Sequence, residues 1–157
     1  MQTSYVVIGL VVLVALFFVA QYNKLIRLNV TVDEAFGQIE VQLQRRADLI
    51  PNLVETVKGY ASHERNTLDS VTEARSKTTN AHGLNEVAAA DNMMTSALRG
   101  LLAISESYPD LKASENFRAL QEELSSTENK IGFARQYYND NVSSLNQSIT
   151  TIPGKFF

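Results

Sequence analysis

The first charged side chain in this sequence is Lys24, and Tyr5 to Ala20 is an unbroken apolar run, YVVIGLVVLVALFFVA. A hydrocarbon core of about 30 Å takes roughly 20 helical residues at about 1.5 Å each. Ser4, Gln21 and Tyr22 extend the run to that length. Residues 1–23 are therefore expected to form a transmembrane anchor that fixes where the rest of the chain works. A cleaved secretory signal is the plainer alternative. Against it, the opening MQTS carries no Lys or Arg, and Phe18-Val19-Ala20 sets a large ring where cleavage wants a small residue. Lys24 and Arg27 follow the span, whereas the N-terminal tail has only its α-amino group. The positive-inside bias then places the N-terminus outside and the following residues in the cytoplasm.

The residues after the anchor, 24–152, are enough for one domain with its own core, followed by a short C-terminal tail at 153–157. Cysteine is absent, which rules out disulfides, thiolate metal sites and cysteine nucleophiles. A net charge of −3 and a pI near 5.4 argue against a nucleic-acid partner, which calls for a basic stripe.

Apolar periodicity in this region predicts four helices and no strand. The first, about Leu25 to Arg46, aligns Leu25, Leu28, Val32, Ala35, Phe36, Ile39 and Leu43, and nothing between Ala20 and Leu25 separates it from the span. Asp48 is placed to cap a second helix, with Pro51 tolerated in its first turn; it runs to about Thr79 on Leu53, Val57, Ala61, Leu68 and Val71. Thr79 to Gly83 breaks the pattern, and Asn85 opens a third helix on Val87, Ala90, Met94, Leu98, Leu101 and Ile104. Tyr108-Pro109-Asp110 turns the chain, and Ser114 caps a last helix that reaches about Thr150, before Pro153-Gly154. Each stripe can be buried only against the others, so an all-α fold is expected: an N-terminal transmembrane helix followed by an antiparallel up-and-down four-helix bundle. The weakest joint is Arg46-Ala47-Asp48; without a reversal there, the first two segments form one rod. Gly37, Gly59, Gly100 and Gly132 fall one to each helix, where close helix approach is the expected reason.

Polar residues interrupt these stripes. On the last helix, positions 124, 128, 131, 135, 138, 142, 145 and 149 read Leu, Glu, Ile, Arg, Tyr, Val, Leu, Ile, which sets Glu128 and Arg135 among apolar neighbours. On the second, 57, 61, 64, 68 and 71 do the same for Glu64. A buried unpaired charge costs several kcal/mol, so a buried polar network of Glu64, Glu128, Arg135 and Arg46 is expected, with Arg75 a further possible partner. Its plainer role is to set helix register; a ligand-binding or proton-linked site is the sharper reading.

Reaction centres are missing from the sequence. A di-iron bundle needs paired Glu-x-x-His repeats, but His63 is preceded at that spacing by Tyr60 and His82 by Thr79. His63-Glu64 has Thr67 where a zinc helix needs its second histidine. His63 reads as a boundary residue and His82 as a loop residue. Neither a Gly-x-Ser-x-Gly elbow nor a Walker-type glycine loop occurs. No catalysis, metal or cofactor is expected. Arg45-Arg46 would touch acidic lipid only near the membrane, and a helix from Lys24 sets the pair about 30 Å away.

The run from Ile39 to Tyr60, IEVQLQRRADLIPNLVETVKGY, followed by His63-Glu64, closely resembles the bacterial LemA family. So do Tyr108 to Ala113, Glu115-Asn116-Phe117 with Leu120-Gln121, and Glu128-Asn129 with Ile131, Ala134-Arg135, Tyr138-Asn139 and Val142. The anchor, Tyr22-Asn23 and Leu25 also fit. The resemblance covers nearly the whole chain, with one departure: members usually continue beyond a Phe-Pro-Gly type segment, whereas Ile152-Pro153-Gly154 is followed here by three residues. It implies a single-pass protein of the bacterial inner membrane with a long-helix bundle in the cytoplasm, and it brings no enzymatic activity, cofactor or binding residue. Some relatives are associated with internal membrane formation in magnetosome-building bacteria. The expected function is a non-enzymatic, membrane-anchored scaffold or adaptor that presents a helical surface to a membrane protein partner or to copies of itself. The alternative is a tethered sensor whose bundle binds a ligand.

Overall fold

Helix α1 runs from Gln2 to Lys58 without a break, carrying the apolar N-terminal run directly into the residues after it. The computed structural model describes residues 1–151 and 155; Pro153-Gly154, expected to end the last helix, and all of the tail but Lys155 lie outside the described residues. Four further helices follow: α2 (Arg65–Asn80), α3 (Gly83–Glu106), α4 (Pro109–Ala113) and α5 (Glu115–Thr150). No strand occurs among the described residues.

The expected reversal at Arg46-Ala47-Asp48 does not take place. Asp48 is no cap: it lies inside α1, where its Oδ1 accepts from Gln44 Nε2 at 2.9 Å. Pro51 also lies inside α1. It has no N–H to offer the carbonyl one turn back, and a proline there ordinarily costs about 3 kcal/mol. The neighbouring Ala47, Ile50, Leu53 and Val57 are almost wholly buried, so packing outweighs the loss. The real end of α1 comes at Gly59, where Tyr60 and Ala61 both donate to the Val57 carbonyl, at 3.0 and 2.8 Å. The second expected helix is thus divided between the end of α1 and α2.

Later boundaries lie closer to expectation. Gly83 opens α3 at φ +82°, a left-handed conformation in which a Cβ meets the backbone. Asn85 does not cap this helix; the N-cap is His82, whose backbone N–H donates to Glu86 Oε2 at 2.7 Å. Tyr108-Pro109 turns the chain and starts α4. Ser114 Oγ accepts from the Phe117 N–H at 3.4 Å, capping α5.

The chain divides into two units, Met1–Gln38 with Ala134–Phe157, and Ile39–Phe133. In the first, Phe36 and Tyr138 pack with ring centroids 5.8 Å apart and Ala35 is fully buried. Its α1 is long and apolar enough to cross a membrane, and the most apolar 18-residue window, of mean hydropathy 2.6, has none of its residues buried. In the second unit one core joins Ile50, Leu53 and Val57 of α1, Leu68, Val71 and Ala74 of α2, Met94 and Leu101 of α3, Leu111 of α4, and Phe117, Leu120 and Leu124 of α5.

Close approach does not explain the helix glycines. A Cβ built on Gly37 or Gly132 meets nothing within 4 Å, and at Gly100 the nearest atom is Thr67 Cγ2 at 3.8 Å. Gly132→Ala is therefore expected to stabilise the fold by about 0.5–1 kcal/mol, the helix-propensity difference. Gly83→Ala, forced to positive φ, is expected to destabilise it by about 1 kcal/mol or more. Denaturant midpoints of the two variants check both signs.

Candidate functional site

Arg46 lies on the buried face of α1 between Leu43 and Ile50, and it is 1% exposed. Its Nη2 donates to Asp91 Oδ1 at 2.9 Å and to the Asp91 carbonyl at 3.4 Å. Its Nη1 donates to Thr95 Oγ1 at 3.5 Å and stands 3.6 Å from Glu128 Oε1. Thr95 in turn donates its hydroxyl to the Asp91 carbonyl at 2.9 Å. The two side chains of the Arg46–Asp91 pair are 1% and 9% exposed, whereas that of Glu128 is 52% exposed. The centre is thus a buried guanidinium–carboxylate pair, with an exposed carboxylate at its rim.

Of the four residues expected to form the network, the structure brings together Arg46 and Glu128. Arg135 is exposed on α5. Glu64 lies half-buried in the connection before α2, where its Oε1 accepts from the Tyr108 hydroxyl at 3.1 Å. The α5 residues that turn inward are Phe117, Leu120, Leu124, Thr127 and Ile131, with Ala134 and Tyr138 next on the same face. Stepping three then four from Leu124, instead of four then three, selects this set. One residue is about 100° of helix turn, so Glu128 and Arg135 move from the stripe to its flank. Thr127 takes the inner place and donates its hydroxyl to the Glu123 carbonyl at 2.8 Å. Arg75 is half-buried on α2, and its Nε has no hydrogen-bond partner among the described residues.

Asp91 and Thr95 were missed from sequence. The signal was present, since 87, 91, 94, 98, 101 and 105 also run along one face of α3 and both Asp91 and Ser105 are buried. Ala90, one place earlier and also buried, answered the apolar criterion first.

Chemically, the Arg46 centre holds two charges against each other in a nearly dry site, and the Thr95 hydroxyl completes its hydrogen bonding. Several residues that carry the family resemblance pair with one another across the second unit. Tyr108 bonds Glu64, and Asn116 Nδ2 donates to Thr56 Oγ1 at 3.0 Å. His63 and His82 are both exposed. An open groove of about 340 Å³ lies beside His82, lined by Glu40, Gln44, Thr78 and Thr79 among others. The hydrogen bond to the Glu64 carboxylate raises the Tyr108 phenol above its usual pKa near 10, aided by desolvation and by the carboxylate's charge.

Asp91→Ala strands the buried guanidinium and is expected to cost about 3–5 kcal/mol in unfolding free energy. The double change Arg46→Leu with Asp91→Leu should recover most of that loss, because it removes both desolvated charges. Arg135→Leu, at an exposed position, should fall far short of the Asp91→Ala effect. Tyr108 loses its proton less readily when folded than when unfolded. Its contribution is therefore complete below the unfolded pKa near 10 and lost as pH rises through the higher folded value. Tyr108→Phe should abolish that part of the alkaline loss of stability, as read from unfolding midpoints between about pH 9 and 11.

The sequence model of the LemA family matches residues 35–157. The chain is 29% identical over 135 residues to Protein LemA of Metamycoplasma hominis, covering 85% of this chain and 62% of that protein. It is 22% identical over 162 residues to magnetosome protein MamQ 2 of Paramagnetospirillum magneticum, covering 87% and 60%. Identity is also 22%, over 159 residues, to magnetosome protein MamQ of Magnetospirillum gryphiswaldense, covering 85% and 58%. The chain thus spans about 60% of the length of these relatives. With the family's pattern matched from Ala35 onward, across the residues that build the Arg46 centre and the core around it, the chain belongs to the LemA family.

Proposed function

We propose that the protein is a single-pass, membrane-anchored scaffold or adaptor without enzymatic activity. The observation that carries this reading is the exposed apolar first part of α1, continuous with the segment of the same helix that enters the core at Ile50. Its sixteen apolar residues from Tyr5 to Ala20 would forfeit on the order of 20 kcal/mol if left in water. A bilayer covers them at no such cost, and the helix satisfies its own backbone groups there. Lys24 and Arg27 after the span favour the inner membrane of a bacterium with the N-terminus outside and the helical domain in the cytoplasm.

In this reading the long helices pack as an antiparallel up-and-down bundle, and the outer faces of α3 and α5 serve as contact surface for a membrane protein or for further copies of the chain. Leu102 on α3 and Phe133 on α5, 44% and 73% exposed, are side chains a partner would cover. The Arg46–Asp91 pair supports a register-fixing role in place of chemistry. The magnetosome relatives favour work in organising membranes.

The test is fractionation of the full chain expressed in a bacterium. It is expected to stay with the membrane pellet through an alkaline carbonate wash and to leave only with detergent. Chemical crosslinking in those membranes should then trap Phe133 against a partner or a second copy, and Phe133→Glu should abolish the adduct. Release of the full-length chain by carbonate would overturn the anchor; uncrosslinked chain throughout would overturn the scaffold.

A further inference from the structure

Charge is distributed unevenly along this chain. Residues 1–32 and 141–157 contain three of its 14 Lys and Arg, namely Lys24, Arg27 and Lys155, and none of its 17 Asp and Glu. The 11 remaining basic residues therefore share 33–140 with all 17 acidic ones. Both acid-free segments belong to one unit, and all three basic side chains are exposed.

We propose that Lys24, Arg27 and Lys155 form a basic collar that binds the anionic phospholipid headgroups around the span, and that the C-terminal end of α5 is part of it. The proposal rests on the membrane anchor argued above. Within the unit, Phe36 of α1 packs on Tyr138 of α5. Counted outward in opposite directions from that contact, Val32 falls level with Val142, and Leu28 and Leu25 fall within one residue of level with Leu145 and Ser148. All six are half-buried, and their neighbours Ile26, Arg27, Asn146 and Gln147 are exposed. A parallel pairing would instead carry α5 past residues beyond Phe36 and leave Leu25 and Leu28 without cover inside the unit. The antiparallel register brings Thr150 level with Lys24, at the end of the apolar span.

Arg27 is about 10 Å along the helix from Ala20, about one Debye length at 0.1 M salt. A basic group at that height is attracted by an anionic leaflet. No Asp or Glu side chain in either segment opposes that attraction, whereas Asp33, Glu34 and Asp140 begin where the collar ends. The anionic surface therefore draws this end of the unit and repels the acidic remainder.

Because the chain lacks cysteine, Asn146→Cys takes one donor dye at an exposed site. The full chain is reconstituted in phosphatidylcholine bilayers containing, at equal mole fraction, acyl-chain-labelled phosphatidylglycerol or labelled phosphatidylcholine as acceptor. Energy transfer to phosphatidylglycerol should exceed transfer to phosphatidylcholine about threefold. It should fall to parity in Lys24→Gln/Arg27→Gln/Lys155→Gln, or when salt is raised from about 0.05 to about 0.5 M. Inorganic phosphate at millimolar concentration should leave the preference in place; its loss would mean a free-phosphate site and overturn the lipid assignment. Equal transfer in the native chain, or a preference that survives the triple change, overturns the collar. Absence of transfer to either lipid from a chain that floats with the vesicles overturns the placement of α5. A chain that does not float fails the anchor itself, which separates that outcome from the others.

Discussion

A guanidinium shut inside a helical core is the constraint around which the second unit is organised. Arg46 cannot reach water, and its desolvation is offset only if carboxylate and hydroxyl oxygens from α3 arrive at fixed positions. Apolar stripes alone tolerate sliding by a turn, because leucine, valine and alanine contacts are interchangeable to within a kcal/mol or two. A charge pair with hydrogen-bond geometry does not tolerate it. The one observed alignment of α1 with α3 follows, and α5 then closes on the pair with Glu128 at its rim.

Other polar contacts extend the same logic to weaker points of the unit. Tyr108 reaches Glu64, joining the turn before α4 to the connection before α2, and Asn116 reaches Thr56, joining the start of α5 to α1. Each of these contacts lies near a place where a helix ends, so hydrophobic stripes are shortest there and least able to define position. The groups act as clasps between segments distant in the chain. Residues of the matched motif thus make contacts that hold the fold together.

Two errors of the sequence reading share one physical origin. Asp48 and Pro51 are sound local signals for a helix start, yet burial of Ile50, Leu53 and Val57 in one core carries α1 straight through them. On α5, Leu124 and Ile131 are compatible with either 128 or 127 between them, and a stripe of mean spacing 3.5 does not distinguish the two phases. Thr127 takes the inner place, and Glu128 reaches Arg46 from the flank. Both decisions are made by neighbours far away in sequence, which no local window contains.

What the sequence determined by itself is the helical class, the apolar span with its charged flank, and the sites of the turns at Gly83 and Tyr108-Pro109. Each of these rests on solvation or on backbone geometry within a few residues. Tertiary structure alone decided that α1 is unbroken to Lys58, that α5 turns Thr127 inward and Arg135 outward, and that Asp91 is the partner of Arg46. The reason is that helix continuity, helix phase and ion pairing are settled by which surfaces meet, and those surfaces come from segments distant in the chain.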